Sequence, residues 1–220
     1  MSAHHFSEAD RELLYQVIRE RRDMRHFIAD SKINDVVLTR ILDAAHAAPS
    51  VGLMQPWRFI HIKQTGLRDS VVALVEQERV QTAKQLGGRE AEFLRLKVEG
   101  LRECAVLIAV VQAPDDGTVF GRRTMPKEMA LCSTACAIQN MWLASRVENL
   151  GMGWVSFFDP EALANLLACP EGAKPIALLC IGPVREFYDR PMLAQEGWRQ
   201  GRALQECLFE DSWPENVPNE

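Results

Sequence analysis

Three arginines and an aspartate fall within five residues at Arg21-Arg22-Asp23-Met24-Arg25. Guanidinium forks match phosphate oxygens in pairs, and each charge-assisted bond is worth roughly 1.5–3 kcal/mol. The competing reading is a solvated basic turn that complements the C-terminal dipole of a preceding helix. Asp23 is the more telling residue. Flanked by arginines, it is expected to stay ionised and to serve as a proton acceptor. A second candidate is the loop between Pro49 and Pro56. Ser50 offers a hydroxyl, Gly52 lets a ligand approach the backbone, and Gln55 carries an amide that can read a heterocycle edge. Many ordinary turns share this composition.

Gly151-Met152-Gly153-Trp154-Val155-Ser156 echoes a dinucleotide fingerprint but fails it. Its third position is Ser156 rather than glycine, and it leads from a helix into a strand, the reverse of what phosphate cradling requires. It is not a nucleophile elbow either, since Gly-x-Ser-x-Gly is absent and no histidine follows Ser156. Ser156 reads as a strand-borne hydroxyl aimed at a pocket. The five histidines show no metal spacing, and Cys132 with Cys136 is half a metal site that nothing nearby completes, so no metal is expected. His46, on an Ala-rich stretch, reads as a satisfied buried or boundary histidine.

Composition narrows the classes. The chain has 220 residues, a net charge of −5, 47% hydrophobic and 25% charged residues. Such a chain buries a substantial core and is not disordered throughout. The acidic balance disfavours a nucleic-acid binder, which needs a surplus of Lys and Arg on one face. The first residues lack the basic-then-apolar layout of a secretory signal, and no run reaches the roughly 20 apolar residues that span a bilayer. Six cysteines in apolar segments are expected to be reduced, buried thiols, and the expected compartment is the cytoplasm.

These residues need elements to hold them. Ser7-x-x-Asp10 reads as a capping box before Leu13, Leu14, Val17 and Ile18 at helical spacing, ending near Arg21–Asp23. A second helix begins after Asn34 or Asp35, buries Val37, Leu38, Ile41 and Leu42, and stops before Pro49. Residues 58–63 alternate as a strand. Residues 67–104 suggest two helices hinged at Gly87-Gly88. Residues 105–112 form a continuous apolar run, hence a buried central strand. After a loop over 114–126, residues 127–149 make one long helix, apolar or small on most sides, which must be covered by the core or by another subunit. Strands follow over 154–158 and 175–181, with Asp159-Pro160 capping a short helix between them. The tail from Gly182 carries Trp198, Leu204, Leu208, Phe209 and Trp213 and is expected to wrap a partner subunit. The fold class is a single α+β domain over residues 1–220.

In this order, Arg-Arg-Asp-x-Arg, Ala48-Pro49-Ser50-Val51-Gly52-Leu53-Met54-Gln55-Pro56-Trp57, Gln139-Asn140 on the long helix, Gly151-x-Gly-Trp-Val-Ser156 and Gly197-Trp198-Arg199-Gln200 resemble the FMN-dependent nitroreductase superfamily. Within it they resemble the BluB-type flavin destructases, the 5,6-dimethylbenzimidazole synthases of cobalamin lower-ligand biosynthesis. The resemblance covers nearly the whole chain. Ordinary nitroreductases usually carry serine where Asp23 stands, so Arg-Arg-Asp is the discriminating feature.

The resemblance implies a mixed central sheet flanked by helices, in a homodimer whose C-terminal tails wrap each other. It implies reduced FMN bound as a substrate between two subunits, O2 as co-substrate, and a separate flavin reductase as supplier. Ribityl phosphate has five carbons; one is kept as C2 of the benzimidazole and four leave as erythrose 4-phosphate. By the same resemblance Asp23 is the general base, and Ser156 positions the reacting flavin and its breakdown products. Ser50 and Gly52 lie against the flavin with Gln55. Arg21, Arg22 and Arg25 meet the phosphate and the polar ring edge, and Met24 is among the cofactor-binding residues. Arg199 or Arg202 meets the phosphate, and the stretch at Gly87-Gly88 is a lid. The alternatives are an NAD(P)H-dependent FMN nitroreductase, in which flavin is recycled, and a non-enzymatic FMN carrier.

Overall fold

Local chemistry sets the ends of the first helix, α1 (Glu8–Glu20). Ser7 Oγ accepts the Asp10 N–H at 3.2 Å while Asp10 Oδ2 accepts the Ser7 N–H at 2.9 Å, the reciprocal pair of a capping box. Arg21 is already extended, so the residues after it are released from helical pairing. Helix α2 (Asp35–His46) starts where Asn34 Oδ1 accepts the Val36 N–H at 2.8 Å. A one-turn 3-10 helix (Val51–Leu53) then leads into β1 (Trp57–His61). Helices α3 (Thr65–Gln85) and α4 (Glu90–Arg95) are separated at Gly87, whose φ of +53° suits glycine. The chain continues through β2 (Val106–Gln112), α5 (Met129–Val147), β3 (Gly151–Val155), α6 (Pro160–Leu166) and β4 (Lys174–Gly182). Asp159 caps α6 through the Ala162 N–H at 2.8 Å, with Pro160 at the first helical position. This computed structural model describes residues 5–117, 126 and 128–214.

The strands form one sheet in the order β1-β2-β4-β3, each neighbouring pair antiparallel. A parallel bridge between Asp23 and Met152 adds a short piece of chain beside β3 and makes the sheet mixed. Strand β2 shows why its sequence is apolar without alternation. Val106, Ile108 and Val110 pack with Leu38, Ile41 and Ala45 of α2 and Ile138 and Met141 of α5. Leu107 and Ala109 pack on the opposite face with Val71, Val72 and Val75 of α3 and Leu163 of α6. Helices thus cover both faces of the sheet, and both faces of its central strand are core.

Several boundaries differ from the sequence reading. Strand β3 begins at Gly151, three residues earlier than expected, and ends before Ser156, which is exposed beyond the strand. On α1 only Val17 is buried; Leu13, Leu14 and Ile18 are exposed. Helix α5 hides Ser133, Thr134, Ala137, Ile138, Met141 and Ser145, and exposes Leu131, Cys132, Cys136 and Gln139. The expectation of uniformly buried thiols fails at Cys132, Cys136 and Cys207, which are exposed, while Cys104 and Cys180 are buried. Of the expected 114–126 loop, residues 118–125 lie outside the described residues, as does Lys127 at the start expected for α5.

The chain divides into two compact units, Met1–Asp189 and Arg190–Glu220. The second holds α7 (Met192–Gln195), a 3-10 turn (Leu204–Glu206), and an edge-to-face contact of Phe209 with Trp213 at 5.1 Å. No helix among the described residues is long and apolar enough to cross a membrane. Because Ile138 is completely buried between α5 and the sheet, Ile138→Ala is expected to lower unfolding free energy by about 2–5 kcal/mol, measured by urea titration.

Candidate active site

The edge of β3 facing away from β4 is taken up by residues 22–25. The Met24 N–H donates to the Met152 carbonyl at 2.9 Å, the Trp154 N–H donates to Asp23 Oδ1 at 2.9 Å, and Arg25 Nη2 donates to the Trp154 carbonyl at 2.8 Å. Such a close approach requires missing side chains. A Cβ on Gly153 would stand 2.2 Å from the Met24 carbonyl oxygen and 3.1 Å from Arg25 Nη1. A Cβ on Gly151 would stand 2.5 Å from Val184 Cγ1 and 3.2 Å from the Met24 side chain. The Gly-Met-Gly motif is therefore a docking surface for the Asp23 turn rather than a phosphate cradle.

Trp142 on α5 locks the arrangement from the other side. Its Nε1–H is shared between the Arg22 and Met152 carbonyls, both at 3.0 Å. Sequence reading passed over Trp142. The available signal is an indole, with its single N–H donor, among the small residues of a buried helix.

The three arginines divide their work. Arg22 Nη1 donates to the carbonyls of Arg19 at 2.6 Å and Arg21 at 2.9 Å, and Nη2 to that of Asp189 at 2.7 Å. It closes the end of α1 with donors that the sequence reading had assigned to a ligand. Arg25 is 8% exposed, paired with Asp23 Oδ2 and the Trp154 carbonyl, yet its buried Nη1 has no partner. Arg21 is half-buried with its guanidinium 4.6 Å from the centre of the Trp142 ring, and that guanidinium makes no hydrogen bond to the described residues. Met24, expected among the binding residues, spends its side chain in the core.

Burial decides the electrostatics of Asp23. It lifts the carboxyl above its ordinary value, against the opposing pull of Arg25, the Trp154 N–H and Arg21. The sequence expectation weighed the arginines and could not see the burial. The outcome is a more basic carboxylate than an exposed aspartate, with two of its roughly four lone-pair positions occupied and the remainder available.

The Ser50 loop is built separately. Ser50 Oγ accepts the Gln55 N–H at 3.1 Å, and Ser133 Oγ on α5 accepts the Val51 N–H at 3.2 Å. Gly52, Leu53 and Gln55 all have positive φ (57°, 54° and 41°), and Leu53 is 79% exposed. Strained non-glycine backbone of this kind costs of order 1–3 kcal/mol per residue and collects at ligand sites. Gln55 lines a cavity of about 510 Å3 with Asp43, His46, Met54, Trp57 and Arg58, and no residue of the Asp23 turn joins it. His46 is satisfied as expected, accepting the Trp57 Nε1–H on Nδ1 at 3.3 Å. Ser156, expected on the strand and aimed at a pocket, is exposed one residue past the end of β3 and two residues from Trp154, whose N–H binds Asp23. Arg199 and Arg202 are exposed in the C-terminal unit. Among the described residues no group of three or more His, Cys, Asp or Glu can hold a metal ion.

A profile described as the Nitroreductase family matches residues 18–183, and the chain belongs to this family. It is 38% identical over 198 residues to a protein of Rhodobacter capsulatus named 5,6-dimethylbenzimidazole synthase, covering 89% of this chain and 95% of that one. A protein of the same name from Rhodospirillum rubrum is 38% identical over 200 residues, covering 90% and 94%. Among solved structures, oxidised iodotyrosine deiodinase bound to FMN and 3-iodo-L-tyrosine matches with a TM-score of 0.69 at 20% identity, over 91% of this chain and 100% of that one. The expected nitroreductase-like sheet flanked by helices is thereby established.

Gly153→Ala is expected to cost about 1–3 kcal/mol, since the Met24 carbonyl must retreat. Gly88→Ala, with nothing within 4 Å, is expected to stay within about 0.5 kcal/mol. Thermal and urea melts of the two variants side by side check the difference.

Proposed function

We propose that this chain cleaves reduced FMN with O2 to 5,6-dimethylbenzimidazole and D-erythrose 4-phosphate, supplying the lower ligand of cobalamin. The observation that carries the reading is Asp23, a basic carboxylate clamped between a backbone N–H and Arg25 in a chain with 38% identity to two named synthases. A flavin that merely passes hydride needs no carboxylate there, so the recycling nitroreductase is not favoured.

The residues present suit the flavin. Arg25 offers a buried, unpartnered Nη1, Arg21 an uncommitted guanidinium fork, and Gly52 a backbone with no side chain in the way. When bound, reduced FMN supplies both the electrons for O2 and the carbon skeleton of the product. Asp23 takes a proton near the ribityl C1′, the step a retro-aldol-like cleavage requires of a base. Arg25 holds the carboxylate in place, and Ser156 presents its hydroxyl to the reacting groups. Arg21, with Arg199 or Arg202, meets the phosphate. Helix α4 excludes water as a lid: Phe93 packs edge-on against Phe157 at 5.7 Å, one residue from Ser156, and Arg79 Nη2 ties down the Leu94 carbonyl at 2.6 Å.

The complete site needs two copies. Helix α5 fastens the Ser50 loop at Ser133 and the Asp23 turn at Trp142, nine residues apart. At 1.5 Å per residue these anchors lie about 14 Å from each other along one axis. A two-fold axis passing α5 midway, near the exposed Cys136 and Gln139, carries the Ser50 loop of one subunit to the Asp23 turn of the other. The exposed apolar residues of α1 and of the C-terminal unit supply further contact surface, the latter as a tail wrapped around the partner. The dimer acts in the cytoplasm and takes reduced FMN from a separate flavin reductase.

Incubation with chemically reduced FMN in air, followed by mass spectrometry, tests the reading. Benzimidazole with loss of flavin is expected. Intact FMN with steady NADPH consumption would sink it in favour of the nitroreductase, and intact flavin without turnover would leave only a carrier. Asp23→Asn is expected to bind FMN and to lower product formation by at least about 100-fold. Since the base must be deprotonated and burial raises its pKa, activity is expected to rise with pH along a limb lying above the ordinary aspartate value of about 3.9. Mixing and re-associating two inactive variants, Asp23→Asn and Gly52→Val, is expected to restore about a quarter of wild-type activity. Half the dimers are then mixed, and each mixed dimer holds one intact composite site. No recovery would place both halves of the site in one chain.

A further inference from the structure

Tyr188 lies on the segment that returns beside the Asp23 turn after β4. Its hydroxyl oxygen accepts the Arg25 N–H at 3.2 Å and stands 2.6 Å from His26 Nδ1, the rings meeting edge to face at 6.0 Å. The neighbouring Asp189 carbonyl accepts from Arg22, and the Pro183 carbonyl accepts the Ile28 N–H at 2.9 Å. The returning segment therefore grips residues 22–28 along their length, and Tyr188 grips them at the residue that clamps Asp23.

A phenol has one proton to give. With its oxygen accepting from Arg25, His26 Nδ1 is the acceptor within hydrogen-bond distance for that proton. An imidazole that accepts on Nδ1 carries its own proton on Nε2. With that tautomer the contacts have a direction, from the Arg25 N–H to the Tyr188 oxygen and from the Tyr188 O–H to His26 Nδ1. Tyr188 is half-buried and His26 is exposed, so the ring at the outer end orients a hydroxyl at the inner one.

The geometry points to Tyr188 and His26 as positioning residues for Asp23, acting through the Arg25 backbone and depending on the Nε2–H tautomer of His26. Neither touches the substrate in this reading. Their loss leaves binding of reduced FMN largely intact and lets the carboxylate drift from its working position, where small displacements are costly.

The catalytic part of this inference rests on the cleavage activity proposed above; the tautomer part does not. Nitrogen-15 NMR of the histidine ring in the wild-type protein is expected to show a protonated Nε2 and a bare Nδ1 at His26. A proton on Nδ1 overturns the inference whatever the enzyme does. In the reduced-FMN assay, Tyr188→Phe and His26→Leu are each expected to lower kcat about tenfold, the worth of one hydrogen bond of this class, with KM changed less than about threefold. His26→Asn, whose Oδ1 stands in for Nδ1 as an acceptor, is expected to recover most of the kcat lost in His26→Leu. Unchanged kcat, or a loss confined to KM, overturns the inference. Should Tyr188→Phe unfold, the His26 pair still decides, because that side chain is exposed and its removal leaves the packing in place. A wild-type protein that yields no benzimidazole strikes the proposed activity instead, and the tautomer measurement then stands alone.

Discussion

The docking of residues 23–25 onto the open edge of β3 is the contact on which the rest of the site depends. It is a backbone event before it is a side-chain event. The parallel bridge between Asp23 and Met152, closed by the Met24 N–H on the Met152 carbonyl, places Asp23 Oδ1 on the Trp154 N–H, and the absent side chains of Gly151 and Gly153 leave room for it. Without that bridge the edge of β3 carries unpaired N–H and C=O groups, and Asp23 is an aspartate on a loose turn. With it, an edge strand that would be a liability becomes the platform of the site.

The same contact sorts charges that look alike in the sequence. Three guanidiniums within five residues suggest one phosphate cluster, yet their backbone positions send them to different tasks. Arg22 follows the last turn of α1 and meets carbonyls left free by the helix end. Arg25, two residues past the bridge to Met152, folds back over Gly153 to reach both Asp23 and the Trp154 carbonyl. Arg21 has neither option and rests on the Trp142 ring, a cation–π contact worth about 0.5–1 kcal/mol at an exposed position and hence easily exchanged for a stronger anion. For Asp23 the arginines and burial act in opposite directions, and burial prevails. The proposed role of Asp23 as a base gains from that outcome, because full neutralisation by arginine makes a weak base.

What could be read from the sequence follows a physical division. Elements set by local chemistry were legible: the capping box at Ser7, the Asn34 cap, the Asp159-Pro160 start of α6 and the two-faced apolar run of β2. The Arg-Arg-Asp turn, the Ser50 loop and the Gly-x-Gly-Trp stretch carried the resemblance from which the family and fold followed. Features set by contacts far apart in sequence were not legible. Strand β3 starts at two glycines, which propensity counts against a strand, because their role is to admit Met24. The grip of Tyr188 on Arg25 spans 163 positions and involves ordinary residue types. The partial burial of Asp23, whose side chain stays 41% exposed, appears only once β3, the Asp23 turn and Trp142 are assembled.

Helix α5 connects these observations. Its inward face is small and hydroxylated where a backbone must be met, with Ser133 for the Ser50 loop, and aromatic where two carbonyls must be bridged, with Trp142 for the Asp23 turn. Both halves of the site are therefore referenced to one rigid rod, and their spacing is set by the helical rise rather than by the loops that carry them. In the proposed two-copy arrangement the two fastened segments meet across the symmetry axis, with the exposed Cys136 and Gln139 midway along the helix facing it. On the two-copy arrangement proposed above, the face of the helix that its own chain leaves unburied is the face the second copy covers, and it lies between the two segments the helix fastens.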